Sequence, residues 1–147
     1  MTITDPDTVA TALDAALVDL INLGLVAKQA HWNVEGPTFR PLHVLLDEVA
    51  DLARTAGDDV AERAITLGHH PDGRASTVAT TSTLPNVPSG AIRDRDVIVT
   101  FGSILGTVVQ QLHTTIDRFG GDPVTQDLLT TIVAALEKQA WMIRAHQ

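Results

Sequence analysis

The chain has no cysteine and no tyrosine, and aromatic residues make up 3% of its 147 positions. Without thiols there are no disulfides, no thiolate metal sites and no cysteine nucleophile, and the redox compartment stays open. Positive charge is scarce as well: ten Lys and Arg stand against eighteen Asp and Glu, a formal charge of −8. Only two of the cations are lysines, Lys28 and Lys138, and no cation precedes Lys28. Nucleic acids are held by clustered cations that neutralise phosphates, so direct DNA binding is not expected. The opening segment, MTITDPDTVA, has neither a basic stretch nor a long apolar run. Neither secretion nor membrane insertion is indicated, and a cytoplasmic, bacterial-type protein is the default expectation.

Apolar side chains, by contrast, are plentiful at 44% of the chain. That content argues against disorder, and the length suits a single domain, residues 1–147, with a full core. Asp5-Pro6 reads as a helix cap followed by proline in the first turn, and Val9, Leu13, Leu17, Leu20 and Ile21 recur at helical spacing. These predict a first helix over residues 6–33, broken by Gly36-Pro37. A second, over 39–67, runs through Leu42, Leu45, Leu46, Val49 and Leu52, and carries Gly57 at a cost of about 1 kcal/mol relative to alanine. Gly57 either permits a close approach by another chain or is simply tolerated. Between 68 and 90 Gly, Pro, Ser and Thr dominate and the apolar period is lost. A third helix, over 92–119, presents Val97, Phe101, Ile104, Leu105, Val108, Leu112 and Ile116 and stops at Gly120-Gly121. Asp122-Pro123 repeats the capping pair, and a fourth helix over 123–145 turns Leu128, Leu129, Ile132, Val133, Leu136 and Trp141 inward. The fold class is therefore all-α, with four long helices and one long connection between the second and third. No internal repeat is evident.

The residues that carry chemistry crowd between Lys28 and Arg63. His43 and Asp47 are four apart, as are Asp58 and Glu62, so on a helix each couple lies one turn apart. At about 100° per residue, with His43 at zero, Asp47 falls near 40°, Asp58 near 60° and Glu62 near 100°. All four share a face, yet the couples are separated by roughly 22 Å along the axis. One metal cannot reach both within one chain. A second copy of the helix, antiparallel across a two-fold axis near Leu52 and Ala53, would bring His43 and Asp47 of one chain to Asp58 and Glu62 of the other, twice over. Asp51 and Arg54 are symmetric about the same midpoint, which predicts an ion pair between Asp51 and the partner's Arg54. Carboxylates four apart are also what an ordinary solvated face looks like; the dipeptide His31-Trp32, just before the Gly36-Pro37 break, adds a polar group that could fold back over the site.

The series His31-Trp32, Gly36, Phe39, Leu42-His43, Asp47, Asp58 and Ala61-Glu62-Arg63 closely resembles the Dps family of mini-ferritins, and the likeness extends to Leu136-Glu137-Lys138 and Trp141-Met142-Ile143-Arg144. The resemblance implies a ferritin-like four-helix bundle with a short helix, over 75–82, in the long connection. It also implies a hollow dodecamer built from two-fold dimers, which oxidises Fe(II), preferentially with hydrogen peroxide, and stores the ferric mineral. His31, His43 and Asp47 would come from one chain and Asp58 and Glu62 from the other, forming a ferroxidase centre for two irons. Imidazole and carboxylate also suit Zn(II), Co(II) and Mn(II), so the ligands do not select iron. Lys28, one turn before His31, could reach the site as a donor or be an ordinary surface lysine. Trp32 could intercept radicals, as a neighbouring aromatic does in the family, or pack at the dimer contact. Asp122 and Asp127 match the place where the family lines its three-fold pores with carboxylates, where an acidic funnel concentrates Fe(II); Asp122 could equally serve only as a cap.

Other functions make distinguishable demands. Ferritins that keep the di-iron centre inside one bundle use Glu-x-x-His couples, and here Thr38, Asp51, Ile65 and Ala140 follow the four glutamates at that spacing. A non-catalytic metal-binding scaffold would assemble without consuming peroxide, and a nucleoid-associated protein would need a basic tail that this chain lacks. His69-His70 fits a helix terminus or plain exposure, and His113 with Asp117 fits a surface pair or an accessory metal site.

Overall fold

The computed structural model describes residues 6–147; Asp5, half of the expected first cap, lies outside the described residues. Four long helices form as the apolar spacing predicts: α1 (Pro6–Asn33), α2 (Phe39–Thr66), α4 (Asp94–Arg118) and α5 (Pro123–Arg144). The short α3 (Ala75–Thr81) sits in the long connection. Two residue pairs, β1 (Val34–Glu35) and β2 (Ile92–Arg93), run parallel, with Val34 opposite Ile92 and Glu35 opposite Arg93.

That small ladder decides the topology. It holds the end of α1 beside the start of α4, so α1 and α4 are antiparallel while α2 and α4 run the same way. Residues 67–93 must therefore carry the chain back along the bundle, the one-crossover arrangement of ferritin-like folds. The return segment is fastened by a buried carboxylate. Asp19, 2% exposed on α1, accepts hydrogen bonds from the Ser82 hydroxyl at 2.8 Å, the Thr83 N–H at 2.9 Å and the Thr83 hydroxyl at 2.8 Å. Burying a charge is costly unless its lone pairs are filled, and here three donors fill them.

The core is one cluster, with Phe101, Phe119, Leu13, Leu20, Leu42, Leu46, Ile104 and Leu136 among its fully buried members. α1 is apolar around most of its circumference: Leu13, Leu20 and Leu23 face the core, while Leu25 and Trp32 stand 61% and 67% exposed on the other side. A helix apolar all round is usually buried on both sides, so α1 offers a face that this single chain leaves open.

Several details depart from the sequence reading. Residues 92 and 93 do not start α4; the ladder with β1 keeps them extended, and Asp94 is its first helical residue. Helices α2, α3, α4 and α5 each stop one residue short of the predicted end. Trp141 does not point inward but is 59% exposed, because its turn of α5 overhangs the start of α2, where Arg40, Pro41 and Val44 form the other wall of a surface groove. His113 pairs with Glu137 across α4 and α5, at 3.6 Å, rather than with Asp117 along its own helix. A methyl group on Gly57 would meet only ordinary contacts, Leu17 at 3.7 Å and Leu20 at 3.9 Å, so packing within this chain does not require glycine there.

Candidate metal centre

Where α1 ends and α2 begins, the turn brings His31 over His43. Their rings stack with centroids 3.7 Å apart and planes 15° from parallel. Each ring also reaches the other's backbone: His31 Nδ1 lies 2.6 Å from the His43 carbonyl oxygen, and His43 Nδ1 lies 2.7 Å from that of His31. Carbonyls only accept, so both Nδ1 atoms must carry the proton. This sets the tautomer and leaves each Nε2 with a lone pair, and neither Nε2 has a partner among the described residues. Phe39 tilts against His43 with ring centroids at 5.0 Å, closing one side of the pair.

Asp47 follows His43 by one turn and is bound by Lys28, whose ammonium donates to Asp47 Oδ1. The Lys28 hydrogen bond, aided by the Lys28 charge and opposed by burial, holds the Asp47 carboxyl below the usual carboxylate range. Lys28 thus reaches Asp47 from α1. His31, His43, Asp47 and Asp51 together border a groove of about 260 Å3.

Asp58 and Glu62 are elsewhere. Both are exposed and lie toward the far end of α2, which runs unbroken from Phe39 to Thr66. A continuous helix keeps the two couples roughly 22 Å apart. Accordingly, among the described residues no three His, Asp or Glu side chains converge on one metal position. Asp58 instead lines a second, larger groove of about 890 Å3, with Lys28, Trp32, Arg54 and Gly57 and with the open side of α1. Asp51 and Arg54 are exposed and make no ion pair among the described residues.

The remaining candidates have local roles. Asp122 caps α5, accepting from Val124 N–H at 3.2 Å and Thr125 N–H at 3.1 Å, and it takes Arg63 Nη2 through both oxygens at 3.1 and 3.0 Å. Burial pushes its carboxyl up, but the Thr125 hydroxyl and N–H and the Arg63 guanidinium together bring it below the usual range. Asp127 is exposed. His69 closes α2, its N–H donating to Ala64 at 2.9 Å, and its Nε2 meets Asp14 at 3.1 Å; His70 is exposed.

The comparisons bear on this arrangement. A ferritin-like domain family matches residues 10–147. DNA protection during starvation protein 2 of Deinococcus radiodurans is 40% identical over 135 residues, 91% of this chain and 56% of its own length. The corresponding protein of Agrobacterium fabrum is 35% identical, over 95% of this chain and 87% of its own. The chain belongs to the Dps family of ferritin-like proteins. A Dps from Microbacterium arborescens, solved in a high iron form, superposes with a TM-score of 0.91 at 31% identity, covering 99% of this chain and 98% of that one. The ferritin-like bundle and its crossover are thus common to this chain and its Dps relatives.

Sequence reasoning missed three features: the reciprocal imidazole clasp, the anchoring role of Asp19 and the Arg63–Asp122 clamp. Only the first had a signal, the twelve-residue separation of two histidines across a Gly-Pro turn.

Proposed function

We propose that this Dps protein oxidises Fe(II) at a centre shared between two chains and stores the ferric product inside a closed dodecamer. His31, His43 and Asp47 of one chain face Asp58 and Glu62 of the partner subunit, and two irons occupy each centre. The observation that carries the reading is the imidazole clasp: two stacked rings, each tethered through Nδ1 so that its Nε2 is left without a partner among the described residues, one helical turn from a carboxylate bonded by Lys28. Half of a donor set is assembled, and the other half stands exposed on the same helix at positions symmetric about its midpoint. Supporting the dimer is the open apolar side of α1, and Asp51 pairs with the partner's Arg54 across the axis.

The chain's own contribution is to hold neutral nitrogen and charged oxygen donors in fixed positions. The two irons supply one electron each to one hydrogen peroxide molecule, which is reduced to the oxidation level of water without release of a hydroxyl radical. Zn(II), Co(II) or Mn(II) would compete, since geometry and not donor type distinguishes them. Trp32, at the rim of the larger groove, is the oxidisable aromatic nearest the histidines in sequence and intercepts stray oxidising equivalents. Asp127, with Asp122 where its cap leaves charge exposed, contributes to an acidic path for Fe(II). Iron and peroxide are the substrates, and the protein acts in the cytoplasm without direct DNA contact.

The test is anaerobic Fe(II) loading of the purified assembly, then a peroxide pulse with ferric absorbance recorded. Rapid oxidation that is lost in His43→Ala supports the reading. Wild type that oxidises iron no faster than buffer overturns it in favour of a non-catalytic scaffold.

A further inference from the structure

The imidazole clasp spans a short turn, and its geometry depends on where α1 stops relative to where α2 starts. A third element grips that turn. Asp94, the first residue of α4, accepts the Thr38 N–H through Oδ2 at 2.8 Å, and its Oδ1 accepts the Arg95 N–H at 2.9 Å. Thr38 is the residue just before α2, its own side chain makes no capping bond, and the carboxylate from α4 instead fixes the cap residue by its backbone N–H. The fit against the turn is close. Gly36 has a φ of +131°, and a Cβ on it would fall 2.5 to 2.7 Å from the Asp94 carboxyl atoms. Any side chain at position 36 would collide with the carboxylate where it now sits. The ladder of Val34 with Ile92 and Glu35 with Arg93 brings the two into register.

We propose that Asp94 is a positioning residue for the histidines of the proposed metal centre: seated on Gly36 and bonded to Thr38, it locks the turn so that His31 and His43 keep their stacked, Nδ1-tethered arrangement. The inference rests on the metal-centre reading above, though not on turnover. Asp94 touches neither imidazole. It acts through the backbone, five residues ahead of His43 on one side and five after His31 on the other. The Thr38 N–H also holds the Asp94 carboxyl below the usual range, so the acceptor is an ionised one and its bond is of the stronger kind.

Co(II) binding to the intact assembly, followed by its visible absorption, separates positioning from plain stability. Asp94→Ala is expected to raise the Co(II) dissociation constant at the His31/His43 position by about tenfold, the scale seen when groups that orient metal ligands are removed. Asp94→Asn keeps an oxygen that accepts the Thr38 N–H and restores most of the affinity. Gly36→Ala, which displaces the carboxylate from the other side, reproduces the loss and serves if Asp94→Ala does not fold. Peroxide-driven rates at saturating Fe(II) fall less than rates at limiting Fe(II). Variants that unfold at lower temperature yet bind Co(II) as wild type does, with an unchanged spectrum, overturn the proposal. Wild type that binds Co(II) but does not turn over iron sinks the ferroxidase reading alone, whereas wild type that binds no Co(II) at these histidines sinks both.

Discussion

A shared centre has a numerical signature in mixed assemblies. Consider His43→Ala and Asp58→Ala chains, each inactive alone because every site it forms lacks one donor. The unbroken α2 helix between Phe39 and Thr66 prevents the two couples from meeting within one chain, so a complete site needs His43 from one chain and Asp58 from its mate. When the variants are co-expressed in equal amounts and pair at random, a given site has even odds of an intact His43 and, independently, even odds of an intact Asp58. About one quarter of wild-type sites are rebuilt, all of them in mixed dimers, each of which holds one intact site and one doubly defective site. The initial rate of ferric absorbance after a peroxide pulse should therefore return to about 25% of wild type, well above either variant. Co-expression is needed so that dimers form from the mixed pool. A site contained in one chain predicts no recovery at all, because every chain then carries a broken site. Recovery absent despite mass-spectrometric proof of mixed assemblies would refute the geometric argument.

Other consequences are open to simpler assays. Lys28→Met removes the cation that a metal must displace from Asp47; exposed pairs of this kind are weak, so Co(II) binding should tighten by no more than about fivefold. Weaker binding in that variant would mean that Lys28 orients Asp47 for the metal instead of competing with it. Asp122→Ala deletes a helix cap and leaves Arg63, among the described residues, with the Thr125 hydroxyl alone, for an expected loss of about 2 kcal/mol in denaturant unfolding at fixed protomer concentration. Asp122→Asn keeps the cap and loses the ion pair. Since the native carboxyl sits below its unfolded value of about 3.9, its contribution is complete above that pH and fades as pH falls through the native value. The gap between wild type and Asp122→Asn should thus shrink between pH 6 and pH 3, and a constant gap would show that ionisation is not what Arg63 reads. With a charge of −8 the wild type should not retard linear DNA at physiological salt. Retardation that persists in a chelator would contradict the charge argument.

Helix positions were readable along the chain because apolar side chains at 3.6-residue spacing, closed by Gly-Pro, Gly-Gly and Asp-Pro signals, are local features. The same periodicity showed that His43, Asp47, Asp58 and Glu62 share a face and cannot meet within a chain, since distance along a helix depends only on residue number. Side-chain direction at Trp141 was not readable: a large apolar residue near a helix end can face the core or overhang a neighbour, and the Arg40–Val44 turn of α2 decides which.

Tertiary contact alone decided the rest. The order α1, α2, α4, α5 along the chain is compatible with more than one bundle, and it is the pairing of Val34 with Ile92 that makes α4 parallel to α2. No local pattern announces such a two-residue ladder. Likewise the histidines were visible as candidate metal ligands by type, but which nitrogen each leaves free follows from the carbonyl its Nδ1 finds twelve residues away. Asp94 and Asp19 looked like ordinary helix acids until the fold placed Thr38 and Thr83 against them. Composition and spacing determined the helices, the shared face and the candidate donors, because these depend on neighbours a few residues distant. The tautomers, the turn clamp and the crossover belong to the tertiary structure, because each is a bond between residues that only the completed bundle brings together.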